Sequence, residues 1–193
     1  MIFKFLTQIQ MPLYLIILTI VLIVIIFFIL AYNTIVAAKN QVKQSQSSIE
    51  VYLQNRYDLI PNLIEIVKQY TQHEKQTLQT ITELRNQLLN TKDDFSSQRI
   101  QKENQIQQAL KSLFALAENY PDLKANQNFL ELQKQWQQIE DNLAASRRAY
   151  NAALKRLTDL TQMFPYNLIA KLIKIPNYAF FEATPEAHSP VKI

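Results

Sequence analysis

Apolar residues follow two different rhythms along this chain. From 13 to 31 nearly every position is apolar, and no charged residue stands between Lys4 and Lys39. A helix over that run is about 28 Å long, close to the hydrocarbon thickness of a bilayer. At about −0.3 to −0.6 kcal/mol for each central Leu, Ile, Val or Phe, its insertion is favourable. The run is longer than the roughly 7–15-residue apolar core of a cleaved signal peptide. It therefore predicts a retained transmembrane helix over about 12–31. From Tyr32 onward apolar residues recur at steps of three and four, the mark of helices with one buried face.

Ile35, Val42, Ile49, Tyr52 and Leu53 outline a first helix running to about Arg56. Pro61 lacks an N–H and disfavours helical geometry at Ile60. A tight turn is therefore expected over 57–60, with Pro61 opening a second helix that reaches about Asn90. Leu63, Ile66, Tyr70, Ile81, Leu84 and Leu88 would face inward on it. A loop at 91–94 offers Asp93 or Asp94 as cap for a third helix, about 95–118, marked by Ile106, Leu110, Leu113 and Ala117. Asn119 and Pro121 end it. The fourth helix has the longest seam: Phe129, Leu132, Trp136, Ile139, Leu143, Ser146, Tyr150, Ala153, Leu157, Leu160 and Phe164, closed by Pro165.

An unbroken helix from 32 to 90 would be about 90 Å long and would leave Val42 and Ile49 in water, which favours the break before Pro61. The fold class predicted is all-α. An antiparallel up-and-down four-helix bundle over 32–164 follows a single N-terminal transmembrane helix within 1–31. A short amphipathic helix and an extended C-terminal tail, with Tyr178, Phe180 and Phe181 docked, fill 165–193.

Composition narrows the chemistry. The chain has no glycine, which excludes glycine-rich phosphate loops and disfavours tight hairpins. It has no cysteine, hence no disulfide, thiol nucleophile or thiolate metal site. Acidic and basic residues are interspersed at a net charge of +4, which does not make a nucleic-acid stripe.

His73-Glu74 resembles the start of a zinc HExxH motif, but Thr77 stands where the second histidine belongs. His73 reads instead as a polar residue in the bundle seam, and no nucleophile–base pair is visible. No catalytic, metal or cofactor residue is assigned, and no small-molecule substrate.

Two surfaces stand out. In an up-and-down bundle alternate loops share an end. Arg56, Asp58, Pro61 and Asn62 in one loop would thus meet Asp122, Lys124 and Asn126 in another, at a tip far from the bilayer, with Lys124 or Arg56 as partner for Asp58. That tip would be either a polar clasp that holds the turn or a site for a partner. In 166–175, Leu168 and Leu172 with Lys171 and Lys174 have the character of a membrane-interface segment.

The stretches YN after the span, RYDLIPNLIEIVKQYTQHE, LAENYPDLKANQNFLELQ, RRAYN, FPYNLIAKL and FFEA occur in this order across 32–182. In these the chain resembles the LemA family of bacterial membrane proteins. The resemblance implies an antiparallel four-helix bundle on one membrane anchor, a place in the bacterial cytoplasmic (inner) membrane, and no established enzymatic activity. It also points to membrane proteases as neighbours. The chain departs from the family in lacking glycine and in KIPNYAFFEA, where relatives tend to have a phenylalanine-glycine turn. The function expected is a membrane-anchored, non-enzymatic scaffold that contacts lipid and self-associates or organises partner proteins. The rival is a binding adaptor for an envelope quality-control membrane protease.

Overall fold

In the computed structural model, which describes residues 2–71, 73–91, 96–176 and 178–181, with side chains from Tyr14 on, the first two expected stretches are one helix. Helix α1 (Ile2–Tyr70) carries the chain from the apolar run straight through Pro61. Then come α2 (Lys75–Leu89), α3 (Ser97–Leu116), a 3₁₀ turn (Ala117–Asn119), α4 (Pro121–Lys124), α5 (Gln127–Gln162) and α6 (Tyr166–Ala170). The described residues contain no strand, as the all-α reading expected.

The turn expected at 57–60 is not there, for a reason found at a carbonyl. A proline inside a helix leaves the carbonyl four residues earlier without its N–H. That carbonyl belongs to Tyr57, and Arg85 Nε on α2 donates to it at 2.8 Å. A side chain thus replaces the missing backbone donor. The buried stripe passes the proline without slipping: Ile49, Leu53, Arg56, Ile60, Leu63 and Val67 keep steps of three and four. The helix ends instead at Tyr70, and the next begins at Lys75. There Thr71 Oγ1 donates to Val67 O at 2.9 Å, beside the backbone bond from Thr71 N to the same carbonyl at 3.0 Å. Such local side-chain bonding competes with helix continuation. The cap of α3 also differs: Ser96 accepts from Arg99 N, while Asp93 and Asp94 lie outside the described residues.

The backbone packs as two units, Met1–Lys43 with Ala152–Asn177, and Gln44–Asn151 with Tyr178–Ile193. In the first, α1 from Tyr14 to Leu30 exposes every side chain. The hydroxyl inside that run is satisfied within the helix, since Thr19 Oγ1 donates to Leu15 O at 2.8 Å. Next, Ala31, Ile35, Ala38 and Val42 are buried, as are Ala153, Leu154 and Leu157 on α5 and Ile169 on α6. Phe164, expected as the last inward residue of the seam, is 79% exposed.

In the second unit, α1 from Gln44, α2, α3 and α5 are joined by side chains. Arg85 links α2 to α1. The Phe114 ring on α3 meets Trp136 and Phe129 on α5 at centroid distances of 4.9 and 5.7 Å. Of the stripe that would have faced water, Ile49 is buried in this unit, as are Leu53, Leu110, Leu113, Phe129 and Leu143, and Val42 is buried in the first.

Candidate functional site

The middle of the second unit holds charge where a helical core normally holds leucine. Arg56 is 0% exposed and Glu103 2%. Heptad spacing puts both there: Arg56 continues Ile49 and Leu53, and Glu103 precedes Ile106 and Leu110 at the same three- and four-residue steps. Arg56 Nη1 lies 3.3 Å from Glu103 Oε2, and Nη2 lies 2.6 Å from Glu140 Oε1 on α5. Tyr57 donates its hydroxyl to Glu103 Oε1. Arg99 grips Glu50 with both Nη atoms at 2.6 Å and places Nε 4.0 Å from Glu103. Gln107 Nε2 donates to the other oxygen of Glu140 at 2.9 Å. With Arg147 nearby, three arginines face three glutamates.

Burial sets the proton affinities. It holds the Glu103 carboxyl above the usual carboxylate range, although the Tyr57 hydroxyl, Arg56, Arg99 and Arg147 all pull it down. Burial and then the charge of Glu103 push the Tyr57 phenol far up, so it stays a donor. Burial pulls Arg99 down, but its bonds to Glu50 and the neighbouring negative charge more than offset this and leave it raised. Arg147 is lowered by burial and by repulsion from Arg56.

The Glu103 shift gives a pH test. A carboxyl whose folded pKa is raised binds its proton more tightly in the folded state, so its contribution improves as pH falls. Wild type minus Glu103→Gln should therefore gain stability as pH falls through the raised pKa, and level off below the unfolded carboxylate range near 4.3. Denaturation midpoints for both chains across that window check it; parallel curves would place Glu103 in a solvated setting.

The expected tip is only partly assembled. Arg56 belongs to the buried cluster, and Asp58 is an exposed mid-helix residue that accepts from Gln54 Nε2 at 2.9 Å. Pro61 and Asn62 lie exposed on α1, about two and a half turns before Tyr70. Lys124 pairs with Glu118 instead of Asp58. Asn126 does meet the end of α1: its Nδ2 donates to Tyr70 Oη at 2.9 Å, while its Oδ1 accepts from Phe129 N at 3.0 Å as a helix cap. Tyr120 reaches Glu74 at 3.5 Å. The loop around Asp122 thus faces the turn at 71–74, the YTQHE part of the motif and not its RYDLIP part. His73, expected in the seam, is exposed. It lines an open cavity of about 830 Å³ with Lys68, Thr71, Lys75, Leu78 and Gln79.

A further contact joins two stretches that the sequence left apart. Asn151 clamps the backbone of Phe181 from both sides, donating to its carbonyl at 2.8 Å and accepting from its N–H at 3.0 Å. The Phe181 ring stands edge-on to Tyr150 at 5.3 Å, with the Arg147 guanidinium 5.4 Å from its centroid. Tyr150 Oη donates to Ala179 O at 3.2 Å. Of the aromatic residues expected to dock, Phe181 does so, while Phe180 is exposed.

Comparison with known proteins agrees with these motif positions. The model of the LemA family matches residues 45–193, most of the chain and all of the second unit except Gln44. The chain belongs to the LemA family. It is also 26% identical over 152 residues to Protein LemA of Metamycoplasma hominis, covering 79% of this chain and 69% of that protein. LemA is not a known enzyme family. The match begins after the apolar run of α1, which is long and apolar enough to cross a membrane. Within it, the LemA stretch RYDLIPN supplies the buried Arg56 and Tyr57, and RRAYN supplies the clasp for the tail.

Proposed function

We propose that this LemA-family chain is a membrane-anchored, non-enzymatic scaffold that holds proteins, further copies of itself or other partners, at the bacterial cytoplasmic membrane. The observation that carries this is the continuity of α1. One helix joins the exposed apolar run at 14–30 to the buried Arg56 with no linker between. A folded helical module carried on the same helix as its anchor suits a platform for other proteins. The ionic cluster fits the same reading. Buried ion pairs add little net stability over apolar packing, and in some helical proteins they select one arrangement of helices, the role proposed for this cluster. The partner surface assigned is the turn at 71–74 with its Lys68, His73 and Lys75 cavity and the neighbouring 120–126 loop.

Crosslinking in native membranes, followed by mass spectrometry, tests it. Crosslinks from Lys75 or Lys124 to other copies or to a defined set of membrane-associated proteins are expected. Crosslinks confined to one membrane protease would move the assignment to the adaptor reading. Lysines that crosslink only within their own chain would remove the scaffold reading.

A further inference from the structure

We propose that residues 163–174 form a foot seated in the lipid headgroup layer, so that the chain meets the membrane twice, through the span of α1 and through this foot. The proposal rests on the anchor reading above and adds a second contact with an anionic lipid surface.

The foot is apolar on the outside. Met163, Phe164, Leu168 and Leu172 are 58, 79, 51 and 81% exposed, against 3% for Ile169 between them. Phe164, Leu168 and Leu172 follow one another at four-residue steps. Turns flank α6 on both sides: Asn167 N bonds Met163 O at 2.9 Å, Leu168 N bonds Pro165 O at 3.3 Å, and Leu172 N bonds Ile169 O at 2.9 Å. Lys171 and Lys174 are exposed, and no acidic residue occurs from 163 to 176. An apolar outer face with cations and no acids is the pattern of interfacial segments on anionic lipid.

The foot also lies where lipid would be. Lys39 Nζ donates to Lys174 O at 3.0 Å, which pins its end to α1. Along that helix, residue 39 stands about 13 Å beyond Leu30, the last residue of the exposed apolar run. Closer still to the run, Ala31, Ile35 and Ala38 are buried. The other half of this unit is Ala152–Asn177, in which Ala153, Leu154, Leu157 and Ile169 are buried as well. The headgroup layer is roughly 5–8 Å deep on each side of the hydrocarbon. The tie at Lys39 lies past that layer, so the proposal sets the exposed Phe164, Leu168 and Leu172 on the side of Lys174 that faces the run, where aromatic and amphipathic side chains settle.

The absence of cysteine makes the test direct, using full-length protein reconstituted in vesicles of phosphatidylcholine with phosphatidylglycerol. Single variants Leu172→Cys, Ile23→Cys and Val51→Cys carry an environment-sensitive fluorophore; Val51 is exposed in the other unit and serves as the aqueous control. Iodide is expected to quench the label at 172 about three-fold or more weakly than at 51, and lipids brominated on the acyl chain to quench it well. Iodide quenching at 172 equal to that at 51, while 23 stays protected, overturns the foot and leaves the anchor standing. An unprotected label at 23 overturns the anchor reading itself. Protection at 172 without quenching by brominated lipid means that protein covers the patch, and also overturns the proposal. Repeating the measurement with Lys171→Gln and Lys174→Gln should raise iodide access at 172 in anionic vesicles; no change would remove the lysines from the argument and with them the choice of anionic lipid.

Discussion

Arg56→Ala is expected to lower the stability of the full-length chain in detergent by about 3–5 kcal/mol, the cost of removing one partner from a buried ionic pair. The size follows from what is left behind. Glu103 and Glu140 both lose the Arg56 guanidinium that pairs with them, and Glu103 is almost wholly inside. Arg99 compensates only in part: its Nε stands 4.0 Å from Glu103 while both its Nη atoms hold Glu50. For a chain of this length the change corresponds to a fall in Tm of about 6–20 °C. Replacing the set together, Arg56→Met with Glu103→Leu and Glu140→Leu, should recover part of the loss, since apolar packing substitutes for the ion pairs while the Tyr57 hydroxyl and Arg147 lose their acidic partners. Thermal unfolding followed by circular dichroism reads both. A loss under about 1 kcal/mol for Arg56→Ala would mean that the cluster behaves like an exposed pair.

The same cluster shows where sequence reading succeeds and where it stops. Steps of three and four placed most of the seam of α5 inside, from Phe129 through Tyr150 to Leu157. They also ran through Arg56, Arg99 and Glu103. Those residues occupy seam positions in the sequence, but charged side chains are so rarely buried that the pattern reads as a solvated face. Only when three helices come together does each charge find its partner. The misplaced turn has a similar origin. Pro61 is a strong local signal, whereas the donor that neutralises it, Arg85, is on another helix. The true break has no proline or glycine to announce it. Its mark in the sequence is the polar stretch 71–77, in which no apolar residue continues the stripe. Phe164 departs in the opposite direction, because α5 ends at Gln162 and the helical period no longer holds at the turn beyond it.

Arg85 also yields a cycle that isolates the tolerance of the proline. In the wild type, Arg85→Ala leaves the Tyr57 carbonyl without a donor in a residue that is 3% exposed. The expected cost is about 1–3 kcal/mol, that of an unsatisfied buried polar group. Pro61→Ala restores an N–H four residues after Tyr57, and the helix can close its own bond. In that background Arg85→Ala should cost well under 1 kcal/mol, since the carbonyl no longer depends on the guanidinium. The difference between the two costs is the coupling energy, and its sign is fixed by the geometry: the double variant should be more stable than the sum of the two single effects. Pro61→Ala alone should stabilise the chain, because a proline inside a helix costs about 3 kcal/mol and the Arg85 bond offsets only part of that. Urea midpoints of the four chains in one detergent supply all the terms. Equal costs of Arg85→Ala in both backgrounds would show that the arginine acts elsewhere, and that some other interaction carries α1 past its proline.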